Sequence, residues 1–117
     1  MEISQIYTKI LLHKKRKSLE LSELRKVIEK VFSVDIIQHK SKRSNITISI
    51  ARQCFCLYSY NTLNISQIQI QKSLGFAQPS TVSRAIRTIT NALELNDPLY
   101  IESWEKVTKE VDEYLNQ

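Results

Sequence analysis

One glycine and two prolines in 117 residues leave this chain almost without the punctuation that sheet proteins use at their turns. A strand-rich sandwich or barrel needs a turn every few residues. Long uninterrupted stretches joined by few breaks instead predict helices with short connections. Hydrophobic residues make up 42% and charged residues 25%, which is the composition of a globular domain with one modest core. No run approaches 18 apolar residues, so no membrane span is expected. The N-terminus has no apolar region followed by small residues, and a cytoplasmic protein is expected on that basis.

Hydrophobic spacing places the helices. Ile3, Ile6, Tyr7 and Ile10 repeat at helical intervals, and His13 to Lys17 (HKKRK) ends that segment in charge. Residues 1–18 read as an N-terminal extension made of a short helix and a basic linker, and residues 19–117 as the domain. Residues 20–32 repeat Leu24, Val27, Ile28 and Val31 as one apolar stripe, with Ser22 as the expected cap. Residues 33–38 read as a single turn, and His39 to Asn45 as a charged loop. Residues 46–60 are ambiguous: Ile46, Ile48 and Ile50 alternate like a strand, while Ile50, Cys54, Leu57 and Tyr58 repeat like a helix. Their length favours a helix from about 47, followed by a turn over 62–65.

Stop and start signals are clearer further on. Ser66 can cap a short helix over 66–74 that buries Ile70 and Leu74, and Gly75 follows where a left-handed C-cap is wanted. Pro79 can open the next helix, whose stripe is Val82, Ala85, Ile86, Ile89 and Leu93. Asp97 and Pro98 repeat the cap-plus-proline start for a last helix expected to bury Leu99, Trp104, Val107, Val111 and Leu115.

The net charge of +5 is unevenly spread. Residues 1–96 carry 15 Lys/Arg against 6 Asp/Glu, and residues 97–117 carry 2 against 6. Between 30 and 93 there are 8 basic residues and a single acid, Asp35. A positive middle beside an acidic end suits a polyanionic partner; it equally suits a basic surface that is merely solvated.

Catalytic and metal chemistry find little footing. Cys54 and Cys56 stand two apart in a helix, roughly 200° around its axis, so they can neither pair nor share a metal there. No second Cys pair exists, and His13 and His39 are distant in sequence. Buried structural thiols are the expected role. No Ser/His/Asp set and no paired carboxylates stand out, so neither an enzyme nor a cofactor is expected.

Two helices of about 9 and 15 residues joined by a tight glycine-containing turn, over residues 66–94, form the helix-turn-helix pattern. A recognition helix must bring a narrow N-terminus into a major groove about 12 Å wide. Ser80, Thr81 and Ser83 are small enough to approach bases and phosphates there. Arg84 and Arg87 follow on the same polar face, and arginine suits guanine's paired acceptors or the backbone. The alternative is an ordinary amphipathic helix packed on a bundle.

From about residue 20 onward the chain also resembles the C-terminal DNA-binding domain of the bacterial replication initiator DnaA. The resemblance is carried by the basic loop KSKRS (Lys40 to Ser44), by IARQ (Ile50 to Gln53) opening a long helix, by Ser66, Ile70, Leu74 and Gly75, and by STV (Ser80 to Val82), Ala85 and Ile89. It implies an all-α, Trp-repressor-like domain of five to seven helices. By position it would put Lys42 and Arg43 in a loop reaching the minor groove, and Arg52 and Gln53 at the start of a helix approaching the duplex. Gln78, Ser80 and Thr81 would stand at the tip of the recognition helix. The family's basic–acid–histidine run just before STV is Ala77, Gln78 and Pro79 here, and a family glycine is replaced by Gln71. The family's ATPase module has a glycine-rich phosphate loop that these residues lack, so no nucleotide is expected.

The expected function is therefore double-stranded DNA binding in replication control or transcription regulation, at the nucleoid. The alternative is a protein-interaction module that kept the fold and lost the DNA surface. Because the domain-like pattern begins near residue 20, deleting residues 1–18 should leave a cooperatively folded helical protein. Chemical unfolding followed by circular dichroism tests this, and a broad, non-cooperative transition would make the extension part of the core.

Overall fold

The computed structural model describes residues 19–37 and 45–116. Within them the chain forms five α-helices: α1 (Leu21–Phe32), α2 (Ile46–Leu57), α3 (Gln67–Leu74), α4 (Ser80–Glu94) and α5 (Pro98–Leu115), with a wide π-type turn at Tyr58–Thr62 following α2. No strand occurs among the described residues. The expected all-α fold is what the chain adopts. The N-terminal extension and the loop residues Lys42 and Arg43 lie outside the described residues.

The ambiguous segment 46–60 resolves as the central helix. Asn45 caps it, its side chain accepting from the Ile48 N–H at 2.9 Å. Ile50, Ala51, Cys54, Phe55, Cys56 and Leu57 are all buried, so almost no face is left for solvent. A helix enclosed on every side has no polar stripe, and this erased the amphipathic signal. The strand-like alternation breaks at its first member, because Ile46 lies in the opening turn and is 60% exposed. Beyond Leu57 the ladder widens: the Leu63 N–H donates to the Tyr58 carbonyl, five residues back, at 3.2 Å. The turn keeps Tyr58, Ser59 and Thr62 inside and is followed by Asn64 at a positive φ of 56°.

Two sequence expectations need correction. Glu20, not Ser22, precedes the first turn of α1; the Glu23 carboxylate accepts from the Glu20 N–H at 3.1 Å, and Ser22 points outward. Leu99 is 49% exposed rather than buried. Five residues separate it from Trp104, which places it about 140° around α5 from the buried stripe. That stripe is Trp104, Val107, Thr108 and Val111. Leu115 packs against the core while only partly buried.

Segment 33–37 turns through Ser33 in the left-handed region (φ 55°). It is then pinned by Glu29, whose carboxylate accepts from the Ile36 N–H at 3.0 Å, with Ile36 fully buried. Helices α1 and α5 are joined by Lys30 to Glu110 at 2.7 Å and by the Tyr114 hydroxyl donating to the Glu23 carboxylate. Trp104 is 1% exposed and meets Tyr58 with ring centroids 6.1 Å apart at 47°. Cys54 and Cys56 are unpaired and buried. Burial raises both thiols, Cys56 to about 12 despite the opposing pull of Arg52.

Two outcomes follow from this packing. Trp104→Ala should lower stability by about 3–5 kcal/mol in denaturant titration, the cost of emptying a large core site. Both thiols should resist an aromatic disulfide reagent at pH 8 in the native protein and react once it is unfolded, since neither is ionised or exposed when folded.

Candidate nucleic-acid interface

The segment from Ser66 to Glu94 builds two helices at a fixed angle. The Ser66 hydroxyl caps α3 by accepting from the Gln69 N–H at 3.3 Å. Gly75 ends α3 at φ 74°, ψ 22°, the left-handed geometry that glycine adopts without steric cost. Pro79 already has helical angles, φ −61° and ψ −30°, and α4 proceeds from Ser80. The buried face of α4 is Val82, Ile89 and Leu93, with Ala85 and Ile86 partly buried beside them.

Two glutamines on one face of α3 brace the pair. The Gln71 carbonyl accepts from the Phe76 N–H at 3.1 Å, and its side-chain amide donates to the Phe76 carbonyl at 3.0 Å. Both polar groups of one turn residue are thereby held by a single side chain and its own backbone. One turn earlier, the Gln67 side-chain oxygen accepts from the Ser83 hydroxyl on α4. Ser83 is thus half-buried and engaged between the helices, not presented outward with Ser80. These glutamines carried no signal in the sequence beyond Gln71 standing where the resembled family has glycine.

Outward from this brace, Gln78, Ser80, Arg84 and Arg87 are exposed and Thr81 is half-buried. The Ser80 hydroxyl donates to the Gln78 side-chain oxygen at 3.4 Å. Among the described residues Arg84 and Arg87 enter no ion pair, and Thr88, one turn beyond Arg84, donates its hydroxyl to the Arg84 carbonyl at 2.9 Å.

Arg52 and Gln53 take a more interior position. Arg52 is in the middle of α2, not at its start, and only 8% exposed; its Nε donates to the Ile36 carbonyl at 2.7 Å, which ties the segment after α1 to the middle of α2. Burial lowers its pKa from the usual guanidinium value, opposed by the nearby Asp35. Its Nη2 has no hydrogen-bond partner, nor has the Gln53 Oε1. Burial raises the pKa of the Tyr100 hydroxyl, with the neighbouring Gln53 side chain pulling it the other way.

A groove of about 220 Å³ brings these parts together. Ser49, Arg52 and Gln53 line it from α2, and Thr81, Arg84, Ala85 and Thr88 from α4, with Phe76 between them. Four residues singled out in the sequence (Arg52, Gln53, Thr81 and Arg84) therefore share one concavity, while Arg87 lies outside it. Ser49 and Thr88 were not among the candidate site residues although spacing could have found them: they stand three residues before Arg52 and four after Arg84 on the same faces.

Among the described residues no cluster of His, Cys, Asp and Glu is arranged to hold a metal ion, and no helix is long and apolar enough to cross a membrane. No protein-family model, curated protein or solved structure matches this chain.

The two-point hold on Phe76 is testable. Gln71→Ala should cost about 1 kcal/mol in urea unfolding, the worth of a net hydrogen bond. Gln71→Glu keeps the volume but removes the donor, so it should lose at least as much. Wild-type stability in both variants would mean that the backbone bond alone holds the turn.

Proposed function

We propose that this chain binds double-stranded DNA, with α3 and α4 acting as a helix-turn-helix and α4 as the helix that enters the major groove, in replication control or transcription regulation at the nucleoid. The observation that carries this reading is the exposed face of α4. Ser80, Arg84 and Arg87 project from a braced helix, both arginines are unpaired, and the stretch from 30 to 93 has one acid against eight bases. Small residues at the tip allow close approach, and the free guanidinium groups supply either base-edge or phosphate contacts. The DnaA-like pattern in the sequence points the same way. Lys42 and Arg43 would add minor-groove or backbone contacts on that resemblance. Neither a catalytic step nor a nucleotide is part of this reading.

The interior position of Arg52 changes how its contribution is read. Its burial and its bond to Ile36 make it a support for the groove wall first, with at most one edge offered to the duplex. Gln53, next to it in sequence, lines the same groove. Base preference would then rest on the tip of α4, where the resembled family's histidine and acid are replaced by Pro79 and Gln78. Backbone contacts would supply most of the affinity.

A protein-interaction role is the second reading, and a specific feature favours it. Leu95 is 82% exposed and Leu99 49%, one on each side of the turn into α5, and in sequence they adjoin the acidic end of the chain.

Selection of bound sequences from a random duplex pool, followed by anisotropy titrations, separates the two. Arg84→Ala should cost about 1–3 kcal/mol on the selected site and much less on scrambled DNA. Arg87→Ala should weaken both duplexes alike and reduce the salt slope by about one. No enrichment, together with no salt-dependent retention of any duplex, would remove the DNA reading and leave the protein-interaction role.

A further inference from the structure

The groove between α2 and α4 has a composition suited to a smaller ligand than a duplex. Two of its lining side chains, Arg52 and Arg84, are cations, and none is an acid. They stand on different helices: Arg52 lies on α2 with Ser49 one turn before it, and Arg84 on α4 with Thr81 one turn before it. Among the described residues the hydroxyls of Ser49 and Thr81 make no side-chain hydrogen bond, so both can donate to a ligand there.

Arg52 adds a second, independent requirement. Its side chain is more than nine-tenths buried, one nitrogen is committed to the Ile36 carbonyl, and another has no partner. An unsatisfied buried donor on a charged group is costly. Asp35 offsets part of the Arg52 charge, and an acceptor-rich anion in the groove would offset more of it while offering acceptors to the donors. The donors also come from two facing helices rather than one plane. That suits a tetrahedral oxyanion, with oxygens pointing several ways, better than a planar carboxylate.

We infer that this groove is a seat for a phosphate-type oxyanion, with Arg52 and Arg84 supplying charge and Ser49 and Thr81 supplying hydroxyl donors. At about 220 Å³ it admits the ion with room for a small organic group beside Phe76. The chemistry is the same whether the phosphate is free or belongs to a DNA strand, so the seat itself does not rest on the duplex reading.

The test uses the full chain, labelled with ¹⁵N and titrated with sodium phosphate at constant ionic strength against sodium chloride. Saturable shifts specific to phosphate are expected at the Ser49, Gln53, Phe76 and Thr81 amides and at the Arg52 Nε–H. Arg84→Gln should weaken phosphate roughly tenfold and Ser49→Ala roughly threefold, with unfolding midpoints close to wild type. Shifts that do not saturate, shifts centred on surface lysines outside the groove, or full affinity in Arg84→Gln would overturn the proposal. A duplex arm then identifies the source. Displacement of bound phosphate by DNA means that a strand supplies the oxyanion, and simultaneous binding of both means that a free one does. Specific phosphate binding by a chain that retains no duplex would keep the seat and reject the DNA reading.

Discussion

The burial of α2 on nearly every side is the constraint on which the rest of the structure depends. From Ile50 to Ser59 every residue except Gln53 is buried, Arg52 included. Such a helix is stable only when others enclose it, because its own surface offers water almost nothing. Helices α1, α4 and α5 supply that enclosure. Trp104 closes the α5 side against Tyr58, and Val82, Ile89 and Leu93 close the α4 side. The wide turn at Tyr58–Thr62 belongs to the same arrangement, since it turns the chain toward α3 while keeping Tyr58 and Ser59 inside.

That enclosure determines where chemistry can be offered. α4 must spend its apolar stripe on α2, which leaves Ser80 and Arg87 to solvent and puts Thr81, Arg84 and Thr88 on the flank that borders α2. Where α2 carries Ser49, Arg52 and Gln53, its contact with α4 opens into the cation-lined groove. Arg52 therefore has two duties: it fixes the Ile36 carbonyl behind it and gives the groove wall its charge. The α3 glutamines hold α4 at its angle through Phe76 and Ser83, so the position of Arg84 is set from the side away from the core.

Much of this was legible in the sequence where local rules govern. Gly75, Asp97–Pro98 and Ser66 each declared a helix end through backbone or capping chemistry, and each sits as expected. The stripe of α4 was readable because that helix is amphipathic. Legibility failed where tertiary packing overrides the local pattern. Helix α2 has no polar face to reveal its period, so its first isoleucines mimicked a strand. Leu99 was assigned to the core by its apolar character, although its angle around α5 excludes it. Ser83 and Arg52 were readable as polar and near the right surface. Their engagement by Gln67 and Ile36 depends on partners 16 residues away in sequence in both cases, which no periodicity encodes. The groove was half visible, through four of its residues; Ser49, Ala85 and Thr88 lay one helical turn from them, and Phe76 lies in the turn before α4.

The central claim is that the α4 face, together with the groove it forms with α2, is the surface that meets DNA. It is tested most directly by mapping a bound duplex onto the backbone amides of the ¹⁵N-labelled chain at low salt. The account predicts that the largest perturbations fall on residues 76–88 and 49–53, while the acidic face of α5 from 102 to 113 stays unchanged. Perturbations concentrated around Leu95 and Leu99, or none at any duplex concentration, would contradict it.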